Sequence, residues 1–462
     1  MVRIERDFLG EVEVPDDVYW GVFTERALAN FQLTGQKARP VFIRSLGHIK
    51  LAAAQVHLEL GQMPGDKCTA IEQAAREVAE GKLDGEFPLD VIQAGAGTPF
   101  NMNANEVVAN RALELMGHKR GDYEFIHPNN HVNKSQSSND VIPTAIRLAA
   151  LFEHPRLETA VAGLEASWQR KALQYGSVIQ TGRTHLQDAV PITLKQVFSA
   201  YARSIYHDRH ELAFNTARLG GLGIGGTAVG TGINTRPEFR KMMVEQLKKN
   251  TGLDLHPSVS PVELTSNMNA FLGYASALGQ LATTLHRISN DLKLLASGPR
   301  AGMGEIRLPE VEPGSSIMPA KINPSIPEAA EMAALQVGAH VWAVEAGCRG
   351  GQLQLNVLTP LIAHNILAAQ DLMARTCDMM RTLCVDGIRV DETRMQQHLM
   401  SGLMVATALT PKLGYTQVSD LIKEADKRGV SIQTVILEKG IMGKEELDRL
   451  LDPAKLTGPN EK

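Results

Sequence analysis

Aromatic residues are scarce in this sequence, and so are cysteines. Phe, Trp and Tyr together make up 5% of the 462 residues, whereas β-sheets usually draw on aromatic and β-branched side chains. The composition therefore favours closely packed helices over sheets. The four cysteines form no C-x-x-C pair and are too few to staple a chain of this length. We expect a reducing compartment, in which each cysteine is a small buried hydrophobe.

The sequence also lacks a strong charge of either sign and a long apolar run. Its 47 basic and 51 acidic side chains give a formal net charge of -4, so the basic excess of a typical nucleic-acid binder is missing. No apolar run reaches the ~18 residues that a membrane span needs. The opening MVRIERDFLG has no apolar segment of the kind found in secretory signals. We expect a cytoplasmic protein without nucleic-acid or membrane partners.

Long helical patterns dominate the middle of the chain. A run of 37 residues, 262–298, contains no proline and would span roughly 50 Å if most of it were helical. Apolar residues recur in it at steps of three, four or seven, as on a helix inside a bundle. These residues are Phe271, Ala275, Leu278, Ala282, Leu285, Leu292 and Leu295. The segments 193–219 and 361–385 show the same pattern, which predicts a helix bundle.

Changes in composition divide the chain into three predicted domains. Residues 1–136 form a mixed, mainly helical domain, residues 137–391 the long-helix bundle, and residues 392–462 a small charged helical domain. Pro155 falls inside a helical pattern of the second domain. Because proline removes a backbone donor and clashes with the preceding turn, we expect a kink or a break there.

One glycine-rich segment matches a nucleotide-binding pattern by letter only. Residues 221–226, GLGIGG, satisfy G-x-G-x-x-G, but a dinucleotide site needs a strand before the motif and a helix after it. Here the preceding stretch has a helical pattern and the following stretch, TAVGTGIN, resembles a loop. We therefore exclude a dinucleotide site. The histidines show no metal-ligand spacing, so a protein-bound catalytic metal is not expected. We expect no other cofactor either.

The segment 314–324, GSSIMPAKINP, combines the features of a binding loop. A glycine before two serines lets a ligand approach the backbone amides closely. The hydroxyls and N–H groups can surround a carboxylate or an oxyanion, and Lys321 adds a cation. Asn323 and Pro324 have the order of an N-cap and a first helical residue, opening a helix over 325–343. On spacing alone, a flexible Gly-Ser hinge capped by Asn explains the segment equally well.

These eleven residues resemble the signature of the fumarase/aspartase superfamily of lyases, G-S-S-x-M-P-x-K-x-N-P. Similar stretches cover nearly the whole chain, among them GAGTPFNMNANEVVANRALELMG, HVNKSQSSND, TGRTHLQDAVPITL, GGTAVGTGIN and GQLQLNV. The resemblance implies a mostly α, three-domain fold whose central long-helix bundle forms a tetrameric core. It also implies a homotetramer in which each active site collects residues from three chains.

The resemblance implies roles for individual residues as well. Ser315 matches the catalytic base on a loop that closes over the substrate, and His185 and Glu328 match a paired histidine and glutamate. The positions that match substrate-binding residues are Thr98, Ser137, Ser138, Asn139, Thr184, Ser316, Lys321 and Asn323. Asp140 and Arg183, next to these motifs, are interpreted as structural. The alternatives are that His185 is a core histidine, Thr98 a turn residue and Asn139 a helix N-cap.

The reaction implied is the reversible anti elimination of ammonia from L-aspartate, which gives fumarate through an aci-carboxylate. Most stretches, among them GAGT and DAVP, resemble aspartate ammonia-lyases. Ser138 instead matches class II fumarases, which release water from L-malate, and Pro99 matches neither branch. A lyase for a substituted aspartate is therefore a further alternative. In another class altogether, the chain would be an inactive relative kept as a structural protein, as lens crystallins of this superfamily are.

Overall fold

The computed structural model describes residues 1–458, and 62% of the chain is helical. This confirms the mostly α prediction. The last four residues of the predicted third domain lie outside the described part. The helices are α1 (Val22–Asn30), α2 (Pro40–Glu59), α3 (Gly65–Ala79), α4 (Thr98–Leu115), α5 (Ser138–Gln174), α6 (Leu194–Ala217), α7 (Phe239–Thr251), α8 (Pro261–Ser266), α9 (Asn269–Leu295), α10 (Ser325–Cys348), α11 (Thr359–Leu383), α12 (Glu392–Ser401), α13 (Thr410–Leu413), α14 (Tyr415–Arg428), α15 (Ile432–Glu438) and α16 (Lys444–Leu450).

Every sheet within residues 1–458 has two strands. β1 (Val2–Asp7) and β2 (Gly10–Pro15) form an antiparallel hairpin, and so do β3 (Ile179–Thr184) and β4 (Gln187–Thr193). The remaining strands are β5 (Gly221–Leu222), β6 (His256–Pro257), β7 (Ile306–Arg307), β8 (Gly351–Gln352), β9 (Leu355–Asn356) and β10 (Arg389–Val390). None of the helices in the described part is both long enough and apolar enough to cross a membrane.

The chain forms two compact units. Unit 1 comprises Met1–Thr159, Asp208–Ala282 and Ala333–Ala374, and unit 2 comprises Ala160–His207, Thr283–Met332 and the chain from Arg375 onward. The five longest helices after α4, namely α5, α6, α9, α10 and α11, contribute residues to both units. The division into three domains stays a prediction. Three of the four cysteines, Cys68, Cys377 and Cys384, are buried, as expected of small hydrophobes.

The apolar stripe predicted between 262 and 298 is confirmed, but the helix is shorter than the pattern suggested. All seven residues of the stripe are buried. The proline-free run is interrupted after Ser266, and α9 begins only at Asn269. The Asn267 backbone is extended, and its side-chain Oδ1 accepts a hydrogen bond from the Asn269 N–H over 2.8 Å. An asparagine side chain that bonds to a nearby backbone N–H competes with the helix for that donor, which favours an interruption at this point.

Of the kink or break expected at Pro155, the break is absent, because α5 continues from Ser138 to Gln174 through both Pro143 and Pro155. A proline inside a helix costs roughly 3 kcal/mol. After Pro155 the helix buries Leu157, Val161 and Leu164 completely. Burial of large aliphatic side chains contributes ~1.5–3 kcal/mol each, so packing outweighs the local cost of the proline.

Candidate active site

The predicted binding residues of unit 1 lie at the first turns of two adjacent helices. Thr98 begins α4 and Ser138 begins α5. The side-chain Nδ2 of Asn101, in the first turn of α4, donates a hydrogen bond to Ser138 Oγ over 3.1 Å. Gly97 precedes α4 with φ 79°, and a Cβ there would lie 3.0 Å from Ile142 of α5. Glycine at this position therefore permits both the turn and the close approach of the two helices.

The first turn of α4 has little hydrogen-bonding capacity left for a ligand. The Thr98 N–H donates to Gly95 O, and the Phe100 N–H donates to Gln93 Oε1. Pro99, between them, has no N–H at all. The Thr98 hydroxyl donates to Gly95 O over 2.7 Å, so its oxygen lone pairs are what it can offer a ligand.

The start of α5 offers donors instead. Ser137 Oγ accepts the Asn139 N–H over 3.2 Å, and Ser138 Oγ accepts from Asn101, which leaves both hydroxyl protons unassigned. The Ser138 N–H has no acceptor among residues 1–458. We call these three donors, the hydroxyls of Ser137 and Ser138 and the Ser138 N–H, the α5 donor group. A helix N-terminus also carries the positive end of the helix dipole, so this group suits a carboxylate.

The buried carboxylate of Asp140 holds the start of α5 in place. Its Oδ1 accepts the Ser137 N–H over 3.0 Å, and its Oδ2 accepts the N–H groups of Gly225 and Thr227 over 3.0 and 2.8 Å. Burial raises the pKa of Asp140 to about 6, although these donors and the charge of Lys50 act in the opposite direction. These contacts agree with the interpretation of Asp140 as structural.

The glycine-rich segment 221–226 has a different function from the one its letters suggest. It follows helix α6, contains only the two-residue strand β5, and precedes no helix until α7, which is not the strand–motif–helix order of a dinucleotide site. Gly225, at φ 82°, donates to Asp140, and the Asn139 side chain donates to the Ala228 carbonyl over 2.7 Å. The N-cap alternative for Asn139 is therefore wrong, because Asn139 is the second residue of α5.

Lys50 belongs to the same cluster and was not predicted from the sequence. It lies in α2 and is completely buried, and its Nζ donates to Asn101 Oδ1, Asn133 Oδ1 and Gln136 Oε1 over 2.7, 3.1 and 2.9 Å. The only sign of it in the sequence is a single lysine between two apolar residues, Ile49 and Leu51, in a helical pattern that is apolar at this point apart from the lysine. Lysine is rarely buried, so such a position deserves a functional explanation.

In unit 2, Thr184 and His185 lie at the tip of the β3–β4 hairpin. Thr184 pairs with Gln187, so His185 and Leu186 form a two-residue turn. Their φ angles are 56° and 59°. This left-handed conformation is normal for Asn-Gly turns but strained for histidine and leucine, and such strain concentrates at functional sites. His185 is exposed at the tip of the hairpin, so the alternative of a core histidine is wrong.

A buried ionic cluster fixes the base of this hairpin. The Arg183 guanidinium donates two hydrogen bonds to the Glu305 carboxylate, over 2.9 and 2.7 Å. Glu305 is completely buried and also contacts His398 Nδ1 of α12 over 2.6 Å. Two parallel bonds of this kind restrict orientation as well as distance. Arg183 therefore acts as the structural residue it was interpreted to be, one position before Thr184.

The loop 314–324 is closed by two hydrogen bonds. The Gly314 N–H donates to Lys321 O over 2.8 Å, and the Asn323 side chain donates to Gly314 O over 2.7 Å. The predicted N-cap is misplaced by one residue: α10 begins at Ser325, and the Glu328 N–H donates to Pro324 O. The reason is that the Asn323 amide is engaged across the loop instead of capping the helix.

Ser315 has the backbone donors that were expected around it. Its Oγ accepts the N–H groups of Ile317 and Met318 over 3.3 and 3.1 Å. The serine lines an open cavity of about 510 Å³, which is formed by residues 310–313, 315 and 318–322. N–H groups directed at a hydroxyl oxygen stabilise its deprotonated form, so this geometry favours a serine that can give up its proton.

Three other predicted residues of unit 2, Ser316, Lys321 and Glu328, are exposed. Within residues 1–458 of a single chain, no hydrogen bond joins His185 to Glu328, and their pairing stays a prediction. The structure thus brings Thr98, Ser138 and Asn139 together in unit 1, along with Ser137. In unit 2 it places the remaining residues on a hairpin tip, a loop and the first turn of α10.

Comparison with known proteins identifies the family. The family model described as "Lyase" matches residues 10–338, and the model described as "Fumarase C C-terminus" matches residues 405–458. The chain belongs to the fumarase/aspartase superfamily of lyases. An aspartate ammonia-lyase from a Bacillus species is 42% identical over 458 residues, or 99% of this chain and 98% of the relative. A class II fumarate hydratase from Campylobacter jejuni is 40% identical, with 99% of each chain covered.

Solved structures of the superfamily have the same fold. "Fumarate lyase:delta crystallin" from Brucella melitensis, bound to cobalt, is similar to this chain with a TM-score of 0.95 and 42% identity, over 99% of this chain and all of that one. Recombinant class II fumarase from Schistosoma mansoni gives a TM-score of 0.97 at 33% identity, with both chains fully covered. The family and the mostly α fold inferred from the signature are therefore confirmed, and the chain is a lyase.

Proposed function

We propose that this lyase eliminates ammonia reversibly from L-aspartate, in the anti sense, to give fumarate. The observation that carries the proposal is the presence of two features in one chain, a donor group for a carboxylate and a serine that can act as a base. The α5 donor group suits a carboxylate, and Ser315 has two N–H groups directed at its oxygen. Relatives named aspartate ammonia-lyase, 40–42% identical over nearly the whole chain, support ammonia as the leaving group.

In the proposed mechanism, Ser315 is the base. Its Oγ removes a proton from the carbon that bears no nitrogen, and the electron pair of the C–H bond moves into the neighbouring carboxylate. The aci-carboxylate dianion formed in this way is stabilised by the α5 donor group. Fixed donors aimed at developing charge are usually the largest contribution to catalysis of this type. The aci-carboxylate then collapses, and the electron pair it held forms the C=C bond of fumarate. At the same time the C–N bond breaks, and its electron pair leaves with nitrogen as ammonia.

The remaining predicted residues complete this proposal. Lys321 and Asn323, with Thr184 and Ser316, hold the other carboxylate. Thr98 and Asn139 contact the leaving amine with His185, whose basicity Glu328 raises by pairing with it. No metal or cofactor takes part in these steps. The substrate is a small dicarboxylate. Its negative charges are neutralised by cations of the chain and accept hydrogen bonds from the donors that the chain supplies.

Two observations favour alternatives for the leaving group. The Campylobacter jejuni relative named fumarate hydratase covers as much of the chain as the ammonia-lyases do. Pro99 is buried beside Thr98 and has neither an N–H nor a polar side chain. A pocket with fewer donors at this point binds a substituted amine more readily than one that is lined by hydrogen-bonding groups. Water from L-malate, or a substituted amine, is therefore the alternative product.

The exposed face of α10 supports the further proposal of a homotetramer with shared active sites. Met332, Leu335 and Trp342 on this helix are 59, 65 and 69% exposed in the single chain. Large apolar side chains grouped on one helix face usually mark an interface. In an assembly of this kind, residues from three chains meet at each site.

The test is a substrate panel with purified protein. L-Aspartate and L-malate are added separately, and fumarate is followed by its ultraviolet absorbance. In the reverse direction, fumarate is combined with ammonia, methylamine, hydroxylamine or water alone. We expect fumarate from L-aspartate and the fastest addition with ammonia. Fumarate from L-malate but not from L-aspartate would establish the hydratase instead, and preference for methylamine would establish a substituted substrate.

A further inference from the structure

Lys50 is a buried cation whose contacts are all neutral. Its three hydrogen-bond acceptors are the side-chain amides of Asn101, Asn133 and Gln136. Within residues 1–458 it forms no ion pair. Asp140, also buried, is the opposite charge that acts on it from a longer distance. Burying an ammonium group with neutral partners costs free energy, so packing alone does not account for this lysine.

The ammonium group dictates the orientation of Asn101. In its charged form Lys50 can only donate hydrogen bonds, so Asn101 must turn its carbonyl Oδ1 towards Nζ. The amide nitrogen is then directed to the other side, where Nδ2 donates to Ser138 Oγ over 3.1 Å and to Asn133 Oδ1 over 3.2 Å. With a partner that could also accept, the amide would be free to turn over.

This orientation determines what Ser138 can do. Because its Oγ accepts from Asn101, its own proton cannot be donated to that neighbour and remains available. Were the amide reversed, the Ser138 hydroxyl would donate to Asn101 Oδ1, and the α5 donor group would lose one of its three donors. The direction of one buried hydrogen bond thus decides whether Ser138 can donate to a carboxylate.

We propose that Lys50 is a positioning residue for the carboxylate bound at the start of α5, where it fixes Asn101 so that the Ser138 hydroxyl donates to the substrate. The inference rests on the proposed function, since it assumes that a dicarboxylate binds there. A bound anion also offsets the cost of the buried ammonium group. Burial lowers the pKa of Lys50 to about 7 in the chain without ligand, which agrees with a charge that is poorly compensated until an anion arrives.

The test compares Lys50→Met with the unaltered protein, using succinate as the dicarboxylate probe. Methionine fills a similar volume without donors. We expect kcat/KM to fall roughly 10²-fold, mostly through KM, and the stabilisation by succinate in a thermal melt to disappear. The melting temperature without ligand should change little, because removal of the poorly compensated charge offsets the loss of its hydrogen bonds to three amide oxygens. A purely structural lysine would give the opposite result, a lower melting temperature with succinate stabilisation retained.

Lys171→Met is the matched control. Lys171 is also buried, and its Nζ donates to Ile388 O and Gln174 Oε1 in unit 2, far along the sequence from the α5 donor group. The same substitution there should leave kcat/KM and the succinate shift unchanged to within roughly twofold. Equal losses of kcat/KM and of the succinate shift in both variants would overturn the inference. They would mean that removing any buried lysine has this effect.

Asn101→Asp tests the same hydrogen bond to Ser138 and can be used if Lys50→Met fails to fold. The new carboxylate pairs with Lys50, so the fold should be at least as stable, but it can no longer donate to Ser138. We expect the succinate shift to be lost. Normal KM and a normal succinate shift in this variant would overturn the inference. Failure of the proposed function would be seen in a different measurement, the substrate panel, in which the wild-type protein would form fumarate from neither L-aspartate nor L-malate.

Discussion

The start of α5 and the loop 314–324 differ in what holds their polar groups in place. At the start of α5, Lys50, Asp140 and the segment 225–228 are mostly buried and fix each polar group with several hydrogen bonds. The loop is largely exposed and is closed by two hydrogen bonds, from Gly314 and from Asn323. The proposed binding groups are thus preorganised, whereas the proposed base lies on a segment with few contacts. This division suits an enzyme that must admit its substrate before the base closes over it.

The largest effect should come from the loop. Ser315→Ala removes the proposed base, and we expect kcat to fall by roughly 10²–10⁴, the usual contribution of a positioned base. KM and the melting temperature should change little, because the hydroxyl makes no contact with a buried group. Steady-state kinetics of fumarate formation check this.

Ser177→Ala, at an exposed serine before β3, is the control and should have normal activity. A Ser315→Ala enzyme with near-normal kcat would remove Ser315 from the mechanism.

The next effect should come from the buried support of α5. Asp140→Asn places an NH2 group among three backbone donors, and we expect a loss of about 1–3 kcal/mol of stability. It should also raise KM about tenfold, because Ser137 loses the bond that orients it. Thermal melts and KM for the substrate check both parts, with Asp66→Asn on exposed α3 surface as the control.

The pattern of changes in kcat, KM and stability of Asp140→Asn distinguishes two roles for this carboxylate. A fall in kcat with unchanged KM and stability would mean that Asp140 acts in the chemical step instead of supporting the α5 donor group.

A smaller effect is expected at the base of the β3–β4 hairpin. Glu305→Gln weakens the paired bonds to Arg183 and the contact with His398. We expect kcat/KM to fall roughly tenfold, since His185 lies two residues beyond Arg183. Trypsin should also cleave after Arg183 faster, which limited proteolysis can measure. Unchanged kinetics with unchanged cleavage would show that the hairpin is held by other contacts.

The smallest effect on activity is expected from a buried acid outside the site. Glu106 accepts the N–H groups of Gly21, Phe23 and Thr24 at the start of α1. Burial raises its pKa to about 7. The folded state therefore binds its proton more tightly than the unfolded state, whose carboxyl has a pKa near 4.3, and stability falls as pH rises between those two values.

Glu106→Gln should remove this pH dependence without changing kcat. The melting temperature of the wild-type protein should accordingly fall more between pH 5 and pH 8 than that of the variant. Identical pH profiles of the two proteins would show that Glu106 is ionised at pH 5, contrary to its burial.

Much of the fold and part of the site could be predicted from the sequence. The helices over 193–219 and 361–385 were predictable because the spacing of apolar residues reports directly on a helix face. Ser315 and the start of α5 were recognised by their signature stretches. Lys50 was missed because its partners lie 51 to 86 positions away, at Asn101, Asn133 and Gln136. Contacts over such separations leave no local pattern.

The same reason explains the other misses. The segment 221–226 was correctly separated from nucleotide binding, but its bond to Asp140 spans 85 positions and could not be inferred. The continuity of α5 through Pro155 depends on buried packing, which local propensity does not contain. The roles of the individual site residues stay predictions until variants are measured.

The most direct test of the account mixes two chains of low activity and measures fumarate formation at a substrate concentration well below the KM of either variant. Ser315→Ala lacks the proposed base, and Ser138→Ala lacks a member of the α5 donor group. If each site takes these two residues from different chains of a homotetramer, random mixing of equal amounts restores intact sites with a probability of about a quarter. We predict that the mixture, unfolded and refolded together, recovers about that fraction of wild-type fumarate formation. A mixture as inactive as its separate components would contradict the proposal that the two regions meet across chains.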